Sequence, residues 1–135
     1  MQFLPLRIVP GEDLRQALAS ALRASGCSAA FVVSGIGSLS TARLRFAGLA
    51  EPSVIEGAIE IVTLAGTLSL DGAHLHMSVA DASGRVCGGH VATGCVVRTT
   101  AEVLLALLPD WSFTREPDPV TGYPELVIVP KNPKR

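Results

Sequence analysis

Two apolar segments joined by a tight-turn dipeptide constrain the fold of this chain most strongly. Residues 58–70 read AIEIVTLAGTLSL and residues 73–80 read AHLHMSVA, with Asp71-Gly72 between them. Because Asp-Gly adopts the backbone angles that a two-residue hairpin turn needs, this pattern predicts two antiparallel strands. A second turn, DASG, leads into residues 85–98, which predict one or two further strands. The middle of the chain is therefore predicted to form an antiparallel sheet.

The flanking segments predict more strands and one amphipathic helix. In GEDLRQALASALRASG (11–26), leucine and alanine recur at the spacing that places them on one helix face, and Gly26 is predicted to end the helix. The residues of that face are Leu14, Ala17, Leu18, Ala21 and Leu22. Short apolar or alternating runs predict strands at 2–9, 29–35, 42–47 and 125–130, with loops at 35–40 and 48–57.

A second helix is predicted from TTAEVLLALL at 99–108. Thr99 and Glu102 have the S/T-x-x-E spacing of a capping box, and a loop rich in proline and aspartate follows the segment. The predicted fold class is therefore α+β, a single domain over 1–135 with a core of about 2–130, a central, mainly antiparallel sheet and two main helices. The tail KNPKR (131–135) is basic and short and is interpreted as a solvated terminus.

Composition narrows the class of protein and its surroundings. Apolar residues make up 48% of the chain and charged residues 17%, which favours burial of some surface in an oligomer. The net charge of −1 gives no general attraction to nucleic acid. Cys27, Cys87 and Cys95 lack CxxC spacing and fit a reducing compartment. The sequence has no membrane-spanning apolar run and no secretory signal pattern, so the cytoplasm is expected and no membrane contact.

The glycine-rich stretch GIGSLS (35–40) follows a predicted buried strand. It lacks the third glycine of a dinucleotide-binding motif and the lysine of a phosphate-binding loop. One interpretation is a tight connection that needs glycine backbone angles at Gly35 and Gly37. The alternative is a loop whose backbone amides and Ser38 line a pocket.

All three histidines of the chain fall in HLHMSVADASGRVCGGH, between His74 and His90. His74 and His76 are two residues apart on a predicted strand and share one face. If Ala80 pairs with Arg85, His90 lies on the opposite face, whereas a one-residue bulge at Gly88-Gly89 would bring it across from His76. Three imidazoles on one face are a sufficient set for zinc or another divalent metal. Hydrogen-bonded polar residues on a half-exposed sheet are the alternative.

Catalytic motifs are sparse. Cys87 and Cys95 lie close to His90 in sequence, which leaves a Cys–His nucleophile open, although no third residue is found to orient the histidine. If a metal were held by the histidines, its water could be activated for hydrolysis, with Glu60 or Glu102 as the base. No catalytic residue is assigned, and an enzymatic role is the less favoured interpretation.

The order of several motifs resembles the plants-and-prokaryotes-conserved (PPC) domain family. GIGSLSTARLR (35–45) is followed by a T-L-x-G-T-L strand, an H-L-H strand and GGHVATGCVVRTTAEV, and the resemblance covers roughly 2–130. From these motifs come the candidate ligand or loop residues Gly35, Gly37, Ser38, Arg45, Gly88 and Gly89.

The resemblance implies an α+β homotrimer that acts as an assembly or regulatory module, of the free-standing prokaryotic type. It also implies that His74, His76 and His90 belong to a metal-binding motif, with zinc as the expected metal. DNA or another protein is the partner expected by family analogy, but the sequence lacks the R-G-R-P element with which plant members enter the minor groove. The alternative function is a metal-dependent small-ligand-binding protein or hydrolase.

Overall fold

The computed structural model describes residues 1–132 and has one α-helix and eight strands in that range. The last three residues of the basic tail, 133–135, lie outside the described residues. No helix within 1–132 has the length and apolarity needed to cross a membrane. The elements are β1 Gln2–Ile8, α1 Leu14–Ala24, β2 Ala29–Arg45, β3 Ser53–Ser69, β4 Gly72–Ala80, β5 Val86–Val91, β6 Val96–Leu107, β7 Trp111–Pro117 and β8 Pro124–Pro130.

Six strands form one antiparallel sheet in the order β1-β6-β2-β3-β4-β5, and β7 and β8 form a separate hairpin. The end of β2 also pairs with β5, through Leu44↔Val91 and Arg45↔His90. Because β2 is long enough to pair with β6 along most of its length and with β5 at its end, strands β2 to β5 close into a ring. This closure places the β4–β5 hairpin beside the end of β2.

Helix α1 covers one side of the sheet with an apolar face. Leu14, Leu18 and Leu22 are all 0% exposed and join the main hydrophobic core. Asp13 caps the helix, since its carboxylate accepts a hydrogen bond from the Gln16 backbone N–H at 2.9 Å. Burial of each leucine contributes roughly 1.5–3 kcal/mol to folding, so this face holds the helix in place.

The second predicted helix is wrong, because residues 99–108 lie mainly in strand β6. Strand β6 runs between β1 and β2 and pairs with both, and Ala101, Val103 and Leu105 alternate into the core. The Thr99 side chain hydrogen-bonds with Ser38 Oγ at 2.6 Å instead of capping a helix. A capping signal reports local preference only, and pairing with a strand on each side outweighs it.

The loop predicted at 35–40 is also wrong, because strand β2 runs without a break from Ala29 to Arg45 and joins the strand predicted at 29–35 to most of the one predicted at 42–47. The pairing of β2 shifts register near Gly37, whose φ of +154° suits glycine. A Cβ at Gly37 would collide with the backbone of Thr100 and Ala101. The glycine therefore serves the close approach of two strands, and the two-glycine pattern marks an irregular strand.

Two further boundaries differ from the sequence-based predictions. Strand β3 begins at Ser53, which shortens the loop predicted at 48–57. Strand β7 occupies the first part of the predicted proline- and aspartate-rich loop, and its Phe113 is buried against the ring of Phe31. The strands predicted at 2–9, 73–80 and 125–130 match β1, β4 and β8 within one or two residues.

Candidate metal centre

The turn between β4 and β5 sets the register that brings the histidines together. The Asp81 backbone N–H donates to the Arg85 carbonyl at 2.9 Å, which leaves a three-residue loop with Gly84 at φ +79°. The Asp81 carboxylate accepts hydrogen bonds from the Ser83 and Arg85 backbone N–H groups and stabilises the loop. Ala80 consequently pairs with Val86, one residue later than Arg85.

His76 lies directly across from His90 as a result of this register. The bulge predicted at Gly88-Gly89 is wrong, since the β4–β5 pairing is regular and the shift arises in the turn. The two glycines allow close packing instead. A Cβ at Gly89 would lie 2.7 Å from the Arg45 carbonyl oxygen, and one at Gly88 would lie 2.9 Å from that of Met77.

The three imidazoles form a compact triangle. Ring centroids are separated by 5.0 Å between His74 and His76, 5.3 Å between His74 and His90, and 5.7 Å between His76 and His90. One nitrogen from each ring lies within 4.8 Å of the others. In a tetrahedral zinc site, Zn–N bonds of about 2.05 Å place nitrogens about 3.4 Å apart. Modest rotations of the rings would therefore suffice to bind one metal ion.

The surroundings of His74 and His90 favour neutral imidazoles, which are the form that binds metal. Burial, and then the charges of His74 and Arg45, lower the pKa of His90 to about 4. Burial and the charge of Arg115 also lower the pKa of His74. The Nδ1 atom of His90 is buried and has no hydrogen-bond partner within the described part of the chain. A buried polar atom without a partner is costly, and a bound ion or ligand would relieve that cost.

A cleft of about 560 Å³ adjoins the cluster and is lined by His74 and His90. Of the other candidate site residues, Arg45 lines it as well, whereas Gly35, Gly37 and Ser38 do not. The remaining lining residues are Arg15, Asp71, Gly72, Ala73, Arg115, Tyr123, Pro124 and Glu125. A wider cleft of about 690 Å³ between β1 and α1 contains none of the histidines.

Sequence reasoning did not identify Arg15 and Arg115 as site residues. They come from α1 and β7, far from the histidines in sequence, and β7 was predicted as a loop. No spacing pattern connects residues whose proximity depends on how whole elements pack. Of the residues that line the cleft, the sequence identified His74, His90 and Arg45.

The alternative catalytic residues lie elsewhere. Cys95 is fully buried, with its Sγ accepting a hydrogen bond from the Arg43 backbone N–H, and burial raises the pKa of its thiol. Cys87 is three residues from His90 on β5 and therefore points to the opposite face. Neither Glu60 nor Glu102 lines the histidine cleft. These positions give no support to a Cys–His nucleophile or to a glutamate base.

Comparison with known proteins identifies the family. The profile of the Plants and Prokaryotes Conserved (PCC) domain, called PPC here, matches residues 1–109. The chain is 47% identical over 130 residues to a bifunctional protein GlmU of Synechococcus sp. (strain JA-2-3B'a(2-13)), covering 96% of this chain and 21% of that protein. It thus spans about a fifth of that relative. The chain belongs to the PPC domain family.

Solved structures share the fold over nearly the whole chain. A hypothetical protein from Salmonella cholerae-suis is 37% identical, with a TM-score of 0.93 and coverage of 97% of this chain and 95% of that one. A metal-containing protein from Archaeoglobus fulgidus is 26% identical, with a TM-score of 0.79 and coverage of 94% of each chain.

Proposed function

We propose that this PPC domain binds one divalent metal ion, most favourably zinc, through His74, His76 and His90. The observation that carries the proposal is the convergence of the three imidazoles on one face of the β4–β5 hairpin. The unpartnered Nδ1 of His90 and the lowered pKa values of His74 and His90 support it, because both features suit a neutral ligand set. The relative from Archaeoglobus fulgidus is itself described as metal-containing.

A three-histidine metal keeps a coordination position open for water or for one atom of a ligand. The cleft beside His74 and His90 lies where such a ligand would enter. Asp71 and Glu125 line that cleft, but both predicted glutamate bases lie outside it. Hydrolysis with Glu60 or Glu102 as the base therefore has no support, and ligand binding is the function we propose.

Elemental analysis of untagged protein tests the metal proposal. We expect close to one equivalent of a divalent metal per chain after incubation with zinc and desalting, and a large loss of metal in His76→Ala. Ser78→Ala is the matched control, because Ser78 lies on the same face of β4 and bonds to Thr63. Equal metal content in both variants, or none in the wild type, would refute the proposal.

We also propose that the chain assembles as a homotrimer, as the family resemblance implies. Phe3, Ala106 and Phe31 form a row across β1, β6 and β2, and the two phenylalanines are 62% and 42% exposed. Val33 and Ile36 are further exposed apolar residues on β2. Surface of this kind is typical of a subunit interface. Light scattering should report three times the 14.0 kDa chain mass, and a monomer at micromolar concentration would contradict it.

DNA is the partner that family analogy suggests, and the cytoplasm is the compartment that the three free cysteines suit. Contact with the DNA backbone would need the positive charges of the cleft, since the whole chain carries a net charge of −1. Such binding should be detectable with AT-rich duplex at low salt and fall steeply as salt rises. No shift at low ionic strength would remove DNA from consideration.

A further inference from the structure

Three arginine side chains from separate elements meet at the cleft beside the histidines. Arg15 comes from α1, Arg45 from the end of β2 and Arg115 from β7. Their charges act on the imidazoles, since Arg45 and Arg15 contribute to the lowered pKa of His90 and Arg115 to that of His74. The arginines therefore lie within electrostatic reach of the metal ligands.

Among residues 1–132, no ion pair neutralises any of the three guanidinium groups. Arg15 donates to the Val91 carbonyl at 3.2 Å, Arg45 to the Leu49 carbonyl at 3.3 Å and Arg115 to Thr67 Oγ1 at 2.9 Å. All three acceptors are uncharged. Within residues 1–132, the one ion pair is the exposed contact between Arg85 and Asp81. Each cleft arginine thus retains N–H donors and a full charge for a ligand.

Two carboxylates also line the cleft but do not cancel this charge. Asp71 accepts a hydrogen bond from the backbone N–H of Arg115, which keeps its carboxylate at the turn before β4. Glu125 lies at the start of β8, far from Asp71 in sequence. The cleft thus has three positive groups against two negative ones, and a bound divalent metal would add to the positive charge.

We infer that this cleft binds a small organic oxyanion, a molecule with a carboxylate or phosphate group, held by Arg15, Arg45 and Arg115. Guanidinium groups bind both kinds of oxyanion through paired hydrogen bonds. Ala73, Tyr123 and Pro124 provide apolar surface for the rest of the molecule. Binding of the oxyanion by the arginines does not depend on the proposed function. Placement of an oxygen of this ligand at the open coordination position of the metal does rest on the proposed function.

Calorimetric titration of the zinc-incubated full chain with inorganic phosphate and, separately, with malonate tests the inference. Chloride keeps ionic strength constant. We expect saturable binding of at least one probe, and the tighter probe identifies the oxyanion. In the double variant Arg45→Gln, Arg115→Gln, affinity should fall about tenfold or more, because charged hydrogen bonds are lost. Arg98→Gln removes one positive charge from an exposed position outside the cleft and should leave affinity unchanged.

Three results would overturn the inference. These are the absence of saturable binding by either probe, equal affinity in the double variant and in Arg98→Gln, and binding of DNA duplex without binding of either probe. Circular dichroism and thermal unfolding establish that the variants remain folded, and Arg115→Gln alone serves if the double variant does not fold.

Metal-free protein separates this inference from the proposed function. If zinc binds but neither anion does, the oxyanion inference fails and the metal proposal stands. If anions bind with unchanged affinity to protein that holds no metal under any condition, the arginine cleft is supported and the metal proposal fails. Tighter anion binding in zinc-loaded protein than in metal-free protein would support both together.

Discussion

Arg45 and His90 are direct partners in the short antiparallel ladder that joins β2 to β5. His90 is at the same time the partner of His76 on β4, so one residue connects the closure of the sheet to the histidine cluster. The side chains of Arg45 and His90 both line the adjoining cleft. Changes at this closure should therefore alter metal binding without replacing a ligand.

Gly89→Ala should weaken both the fold and the metal centre. The added Cβ would lie 2.7 Å from the Arg45 carbonyl oxygen, so β5 must move away from β2. We expect a loss of roughly 1–3 kcal/mol in the free energy of unfolding, as for other overpacked positions, and weaker zinc binding. Urea unfolding and zinc competition titration measure the two effects. Val86→Ala is the control on β5, since Val86 is 62% exposed, and a Gly89→Ala protein identical to it would contradict this account.

The stability of metal-free protein should fall as the pH decreases from about 6.5 to 4. Burial lowers the pKa of His90 to about 4, whereas the unfolded chain keeps the ordinary value near 6.5. Within this window the unfolded state binds a proton that the folded state does not, so acid favours unfolding. Thermal unfolding at several pH values measures the effect, and His90→Gln should show a flatter profile. A profile of equal slope in both proteins would assign the pH dependence to other groups.

Leu18→Ala should cost about 2–5 kcal/mol of unfolding free energy, as for other fully buried leucines. Leu18 is 0% exposed at the centre of the apolar face of α1. Ser20→Ala, at an exposed position of the same helix, should change stability by less than about 0.5 kcal/mol. Chemical denaturation measures both. Equal values would mean that α1 does not pack on the sheet as described.

Thr99→Val tests the assignment of 99–108 to a strand. The hydroxyl of Thr99 lies 2.6 Å from that of Ser38, which is 5% exposed. Loss of this partner should cost roughly 0.5–1.5 kcal/mol, because the buried Ser38 hydroxyl loses one hydrogen bond and keeps the one it accepts from the Thr99 backbone N–H. Thr100→Val is the matched control, since Thr100 Oγ1 accepts only an exposed hydrogen bond from Arg7. A helix capped by Thr99 would instead leave Ser38 unaffected, and hydrogen exchange of the Ser38 region would not change.

Much of the fold was predictable because its signals are local. The β3–β4 hairpin followed from Asp71-Gly72, and α1 followed from the spacing of its leucines, both of which the structure confirms. The motif order also identified the PPC family, which the family profile confirms. The error at 99–108 has a different origin. Leucine and alanine there prefer helix, but β6 receives hydrogen bonds from β1 and β2, whose positions no local pattern specifies.

The candidate site was predictable only in part. Because side chains alternate between the two faces of a strand, His74 and His76, two residues apart on β4, share a face irrespective of the rest of the fold. The position of His90 depends on the length of one turn, and assuming that Ala80 pairs with Arg85 led to a bulge that does not exist. Arg15 and Arg115 depend on the packing of α1 and β7 against the ring of strands, which sequence spacing does not encode.

The histidines and the cleft arginines differ in how far apart they lie along the chain. The histidines all belong to one hairpin, whereas the arginines are drawn from α1, β2 and β7. A metal ion would therefore cross-link two adjacent strands, while an anion in the cleft would tie together segments that meet only when the whole domain has folded. Ligand binding in the cleft would stabilise the complete native state by mass action, and binding would therefore indicate that the whole domain is folded.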